Sequence, residues 1–499
     1  MSTPGRHRPE ADDLRQATDS PQGLPVSGLS PKGEYRGAQH EGSPVRPRPS
    51  QARPRGARAM AGHAVPRALL VLAVFALAVL LLAGGLLVWD RAPSLDDSAA
   101  APATTEQFAS DLVERGRILA LAGHCAGCHT ARGGLPYAGG RGLGTPFGTV
   151  YAGNLTPDAD TGLGRWTPAH FWRAMHHGRG FDGRRLVPAF PYTEMTNLTR
   201  ADSDALFAWL RTLPPVAQAS LPHALRWPYD TPLALATWRM LFFRPGNWEP
   251  DPAQTAEWNR GAYLVNGVAH CAACHGGRNV LGGPAGAGFG GGLIPLQNWV
   301  APAFTRAGEA SVADWPLADI VALLRDGHSP RGRASGPMAE VVAGSTQHLP
   351  AADLQAVAAY LKSLPVQPDP PPAPLRDPAR TELQVNAGAA IYRDHCLACH
   401  GEHGEGGVLP DGRHAVPPLA GNRLVTQDPP ANLVRAITLG GFGAVTQGEP
   451  RPFGMPPFAQ VLNEAQIADV ATFLRRSWGA RAAPVSAPDV ARWRGEAHP

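Results

Sequence analysis

The sequence predicts a mainly α-helical fold: three tandem domains with long loops, preceded by one transmembrane helix. Three observations lead to it. All six cysteines fall in three copies of one pattern, Cys125-Ala-Gly-Cys128-His129, Cys271-Ala-Ala-Cys274-His275 and Cys396-Leu-Ala-Cys399-His400. Glycine (57) and proline (52) exceed a fifth of the 499 residues, which suits short helices between long, rigid loops. One uncharged apolar run, Ala68–Trp89, reaches the roughly 20 residues that a bilayer crossing takes.

Taken in chain order, residues 1–66 are rich in Arg, Pro, Ser and Gly without apolar period, and read as a disordered basic tail. Residues 67–90 form the anchor. Arg46, Arg48, Arg53, Arg55, Arg58 and Arg67 precede the apolar run, and Asp90, Asp96 and Asp97 follow it. Positive-inside logic leaves the tail in the cytoplasm and the rest outside. A cleaved leader is the competing reading, with small residues at 99–103 as its cleavage site. The apolar core is longer than a leader's usual run of about 7–15 residues, which favours an anchor.

The remainder divides into domain I (106–225), a connector with domain II (226–365), a Pro-rich linker (366–380), domain III (381–480) and a tail (481–499). Each domain opens on a short helix with one glycine among apolar residues: Gly116, Gly261 and Gly388. Each closes on an amphipathic helix, with Leu206/Trp209/Leu210, Val357/Tyr360/Leu361 and Val470/Phe473/Leu474 at i, i+3, i+4 spacing. If opening and closing helices cross, the small residue on one lets the aromatic on the other approach. The connector from Leu213 to Pro252 holds Trp227, Trp238, Phe242, Phe243 and Trp248 among prolines. It reads either as a packed interface or as a loop over a neighbouring group.

C-x-x-C-H is the pattern of covalent c-type haem attachment. Two thiols three residues apart share one helical face, so both reach the same porphyrin edge, and the adjacent His falls under the iron. Structural zinc would need two further ligands near each pair, and none is there. A thioredoxin-like pair would need a βαβ context, which is absent. The sequence thus predicts three cytochrome c-type haem domains. Cys125, Cys128, Cys271, Cys274, Cys396 and Cys399 bind the haems, and His129, His275 and His400 are the proximal iron ligands.

The distal ligands are expected among the seven methionines. Met338 and Met455 each stand beside Gly and Pro before the closing helix of their domain, where a loop can be held against the ring. In domain I the matching position is Phe190, which cannot ligate iron. Met195 is the candidate there, with Met175, His176 and His177 as rivals and a vacant site as a further option. His124, His270 and His395 precede their attachment cysteines and read as surface residues. Net charge of +4 gives no reason to expect nucleic acid.

Three such repeats in one chain resemble the membrane-bound cytochrome c subunits of periplasmic alcohol, aldehyde and gluconate dehydrogenases. The matching segments are Leu186-Val-Pro-Ala-Phe-Pro-Tyr192, Leu241-Phe-Phe-Arg-Pro-Gly246 with Glu257-Trp-Asn-Arg-Gly-Ala-Tyr263, and Ala334-Ser-Gly-Pro-Met-Ala-Glu-Val-Val342. The resemblance spans roughly 106–480. It implies a non-catalytic electron-transfer subunit at the bacterial inner membrane, with its haem domains in the periplasm. It also implies a catalytic partner of quinoprotein, flavoprotein or molybdenum type, and delivery to ubiquinone or a downstream carrier or oxidase. The chain departs from the family in its long N-terminal tail and in Phe190, where several relatives have Met. An independent carrier and a multihaem peroxidase are the alternatives, the latter requiring an open haem.

Overall fold

The computed structural model describes residues 67–90, 108–286, 288–294, 297–372, 374–409 and 414–495. The expected basic tail at 1–66 lies outside these residues. Helix α1 (Arg67–Trp89) opens the described chain. Among the described side chains no helix supplies an unbroken apolar span of bilayer length. The backbone of α1 is nonetheless helical for 23 residues, and Arg67 is the one charged residue in its sequence.

Three units of the same helix order follow. The first contains α2 (Ser110–Ala122), α3 (Cys125–His129), α4 (Pro168–His177), α5 (Tyr192–Met195) and α6 (Arg200–Leu210). A connector helix, α7 (Pro232–Phe242), leads to the second unit: α8 (Ala256–Asn266), α9 (Ala272–His275), α10 (Leu317–Asp326), α11 (Pro337–Gly344) and α12 (Ala351–Lys362). The third holds α13 (Pro378–His395), α14 (Leu397–His400), α15 (Arg423–Thr426), α16 (Ala431–Leu439) and α17 (Glu464–Arg476), and α18 (Ala487–Arg494) closes the chain. Strands are minor: one three-stranded sheet and five two-stranded hairpins among the described residues.

Local sequence explains the helix ends. Thr199 caps α6 through the Asp202 amide, and Asn463 and Gln466 form a reciprocal capping box on α17. The middle helices α4, α10 and α16 all stop at a glycine with positive φ: Gly178 (58°), Gly327 (78°) and Gly440 (61°). Helix α12 has no side-chain cap, and Pro350 stands at the capping position.

In every unit the opening and closing helices cross at the glycine. A Cβ built on Gly116 would overlap the Ala205 carbonyl and lie 2.8 Å from Trp209 Cβ. On Gly261 it would overlap the Ala356 carbonyl and lie 2.9 Å from Tyr360 Cβ. On Gly388 it would overlap the Asp469 carbonyl and lie 2.7 Å from Phe473 Cβ. Around these crossings the first two units share one apolar core, including Leu119, Leu206, Leu264 and Leu354, while the third has its own around Tyr392, Val434 and Ile467.

Three segment boundaries differ from the sequence reading. Residues 481–495 are not a tail. Helix α18 buries Val490 and Trp493. The fully buried Arg475 bonds the Ala483 carbonyl as well as those of Val425 and Gln427, and pairs with Asp428. The Pro-rich segment 366–380 is held rather than free, because Gln367 pairs with Arg306 in a bridge and Asp369 accepts from the Gly308 amide at 2.9 Å. Helix α13 begins inside it, at Pro378, capped by Asp377.

The crossings give a direct test. Gly116→Ala, Gly261→Ala and Gly388→Ala each force two packed backbones apart. Each is expected to lower stability by about 1–3 kcal/mol, read as a lower melting temperature of the holoprotein. Unchanged melting in all three would mean that the helices do not meet at these residues.

Candidate haem-attachment sites

The attachment motifs sit on one-turn helices directly after the opening helix. In the first two units the residue before the motif takes the left-handed region, His124 at φ 48° and His270 at φ 36°, and this reverses the chain onto the motif. Within each motif the first cysteine is half-buried and the second exposed, a pattern repeated three times. Burial pushes the Cys125 and Cys271 thiols up to about 12 and Cys396 to about 11, the opposite of an activated redox pair.

Each proximal histidine is oriented by a backbone carbonyl. His129 Nδ1 lies 2.7 Å from Gly153 O, His275 Nδ1 2.8 Å from Pro302 O, and His400 Nδ1 3.3 Å from Pro417 O. A carbonyl can only accept, so Nδ1 holds the proton and Nε2 keeps its lone pair. Burial lowers the proton affinity of all three, His275 to about 4, so each imidazole is neutral at pH 7. Paired thiols plus a neutral, oriented imidazole are the donor set that a covalent haem requires. Sequence reasoning missed Gly153, Pro302 and Pro417. They follow their histidines at unequal distances in Gly- and Pro-rich loops, so no spacing signal marks them.

The methionines divide into two kinds. Met338 lies in the first turn of α11, after Gly336 (φ 53°) and Pro337, and Met455 pairs with Gly441 across a hairpin. Both are half-buried at the edge of a core. Met175 and Met195 are instead core residues, 6% and 3% exposed. The histidines beside Met175, its rivals in the sequence, are not at the surface. His176 is buried and stacks on Trp172 at 4.3 Å. His177 is half-buried, and its pKa is depressed to about 4 by burial, then by His176, Arg239 and Arg179.

His124 and His270 are likewise not surface residues; only His395 is exposed. His270 Nε2 lies 3.1 Å from Gly123 O, and His124 packs against Gly344, so both stand where the first two units meet. At the same joint Tyr263 donates to Asp202 at 2.5 Å and Ser345 donates to Ala122 O at 3.1 Å. Burial raises the Cys274 thiol, Arg278 opposes that, and Cys128 adds to it. The second and third units meet through a small apolar cluster of Ala334, Ala339, Val342 and Ala444 and through polar clamps. Arg333 donates twice to Glu449, at 2.7 and 3.1 Å, and Asn432 bonds both the amide and the carbonyl of Val300. The connector packs as an interface: Trp238 donates to Leu281 O at 3.0 Å, and Tyr192 meets Trp238 and Phe243 edge-on.

Comparison with known proteins agrees with this geometry. Residues 113–214 and 259–365 match the family model for cytochrome c, and residues 383–474 match that for subunit III of the cbb3-type cytochrome c oxidase. The chain is 39% identical over 383 residues to one of the subunits of the nicotinate dehydrogenase of Pseudomonas putida, covering 76% of this chain but only 31% of that relative. It is 37% identical over 412 residues to the cytochrome c subunit of the quinone alcohol dehydrogenase of Gluconacetobacter polyoxogenes, covering 80% and 87% of the two chains. Against the gluconate 2-dehydrogenase cytochrome c subunit of Pantoea cypripedii it is 35% identical, covering 78% and 91%. The chain therefore belongs to the cytochrome c subunits of alcohol, gluconate and fructose dehydrogenases, holding covalent haem c and transferring electrons without being the catalytic subunit.

Proposed function

We propose that this chain holds three haems, one per unit, and relays electrons from a catalytic dehydrogenase subunit to membrane ubiquinone or to a downstream carrier or oxidase. The observation that carries the reading is the threefold recurrence of one donor set: two cysteines, a neutral histidine and a carbonyl that orients it. Bound haem iron supplies one-electron redox chemistry. The chain supplies the rest. Cys125/Cys128, Cys271/Cys274 and Cys396/Cys399 fix each ring, and His129, His275 and His400 present Nε2 to iron. Met338 and Met455 offer a soft sulfur donor in the second and third units, which raises the potential there. Met195 occupies the core of the first unit, where the ligand set departs from the other two.

Helix α1 is read as the anchor of this relay in the bacterial inner membrane, with the three units in the periplasm. Two features support that. Val71, Leu72, Val74, Phe75, Leu77, Val79, Leu80 and Leu81 are exposed all round the helix, an arrangement stable only in an apolar medium. Twenty-three residues give about 35 Å, enough for a bilayer core. Just past its end, Asp90 sits among three arginines. It lies 2.9 Å from Arg179, 2.6 Å from Arg185 and 3.1 Å from Arg239, all of them largely buried. Removing the N-terminal segment by cleavage near 99–103 would take that carboxylate away from its cationic partners, which favours retention.

Four measurements test the reading. A mild-detergent pull-down of the tagged chain from its own membranes is expected to bring a stoichiometric dehydrogenase of quinone, flavin or molybdenum type. Recovery with oxidase subunits alone would favour an independent carrier. Met338→Ala and Met455→Ala are each expected to weaken the red sulfur-to-iron band of the ferric protein and lower one midpoint potential by on the order of 0.1 V. Unchanged spectra in both would remove these residues as ligands. N-terminal sequencing of the native membrane form should start upstream of Asp90, and Asp90→Ala should destabilise the first unit by about 3–5 kcal/mol, as breaking a buried ion pair does. A mature start beyond residue 90 would refute the anchor.

A further inference from the structure

We propose that the iron of the first unit has no protein ligand on its distal side, and that this position binds small neutral ligands of the carbon monoxide type. The inference rests on the three-haem reading and concerns what distinguishes one unit from the other two.

Two independent registers place Phe190 where the other units have methionine. In the second unit the hairpin after the middle helix closes on Arg333, paired with His328, and Met338 stands five residues further on. In the first unit the corresponding bridge joins Arg179 to Arg185, and Phe190 stands five residues beyond Arg185. In the third unit Met455 is followed by Pro456 and by a helical turn ending at Gln460, ahead of α17. In the first, Phe190 is followed by Pro191 and by α5, which ends at Met195, ahead of α6. Phe190 is half-buried against its core, as Met338 and Met455 are against theirs. A benzyl group has no lone pair to offer iron.

The rivals occupy other positions of the unit, although the buried Nδ1 of His176 has no hydrogen-bond partner and, were it the ligand, the wild type would take up no carbon monoxide here. Met195 stands five residues past Phe190, the place of Gln460 in the third unit, and is buried among Leu198 and Leu206. Met175 stands three residues before Gly178, as Leu324 stands before Gly327 and Ile437 before Gly440; all three are core positions. His176 is stacked flat on Trp172. His177 lies at the end of α4, in the field of Arg239 and Arg179, on the side where Asp90 docks.

An iron held only by His129 leaves one coordination position open, walled on the Phe190 side by hydrocarbon. Carbon monoxide donates its carbon lone pair to ferrous iron there, and no bond in the chain breaks. An apolar wall favours such uncharged ligands over anions, because it offers nothing to solvate a charge.

The test uses the full-length holoprotein in detergent, reduced and titrated with carbon monoxide, with total haem measured in parallel. The expected uptake is one molecule per three haems. Phe190→Met should cut that uptake at least tenfold and enlarge the ferric sulfur-to-iron band by about half, from two ligated haems to three. Phe190→Leu, which adds no donor, should keep the uptake and so controls for misfolding. No uptake by the wild type, or uptake that Phe190→Met leaves unchanged, overturns the proposal, as does uptake that appears only in Met195→Leu. Uptake of two or three per chain, of which Phe190→Met removes one, supports this site while overturning ligation by Met338 or Met455.

Discussion

Each candidate haem site depends on one close approach of two backbones. The opening helix presents a glycine, and the closing helix lays a carbonyl and the base of an aromatic ring against it, at Trp209, Tyr360 or Phe473. Glycine is needed there because any Cβ would occupy the space of the partner's main chain. The attachment motif begins within a few residues of the end of the opening helix, so the crossing also sets where the two thiols emerge. The closing helix in turn fixes the end of the loop that bears Met338, Met455 or Phe190. Proximal and distal sides of each site are thereby referred to the same rigid pair of helices. Only short irregular segments remain to adjust the ligands.

The polar chemistry around the proximal histidines is correspondingly spare. One carbonyl orients each ring, and burial keeps the ring neutral. Among the described residues no group of three or more His, Cys, Asp or Glu side chains is gathered as for a bare metal ion. A site that gains and loses one electron without moving atoms or protons benefits from an apolar, tightly packed wall.

How much of this was legible in the sequence follows from the range of each interaction. The motifs, the crossing glycines and the apolar stripes of the closing helices are local patterns, and they foretold three helical units, each with its Cys-x-x-Cys-His motif beside the opening helix. Long-range pairing left no such pattern. His124 and His270 look like surface residues until the first two units are packed together, and residues 481–495 look like a tail until Arg475 gathers the carbonyl of Ala483. The partnership of Asp90 with Arg239 spans 149 positions, and nothing in the spacing of either residue announces it. The carbonyls of Gly153, Pro302 and Pro417 were invisible for a different reason: backbone groups have no residue identity to read.

The two joints between units differ in kind, and the difference bears on how a relay is built. The first two units share one large apolar core and interlock at Tyr263–Asp202 and Ser345–Ala122. The second and third share only a small apolar cluster, Ala334, Ala339 and Val342 with Ala444, and are clamped by Arg333–Glu449 and Asn432–Val300. A shared core fixes separation through close packing, which is stiff; a polar clamp fixes orientation through directional bonds across a thinner contact. A shared core of this kind would hold haems in the first two units at a nearly constant separation, the quantity on which electron tunnelling depends most steeply. The third unit is tied to the second by directional bonds, and because Arg333 and Glu449 are both largely buried, salt screens their pairing little.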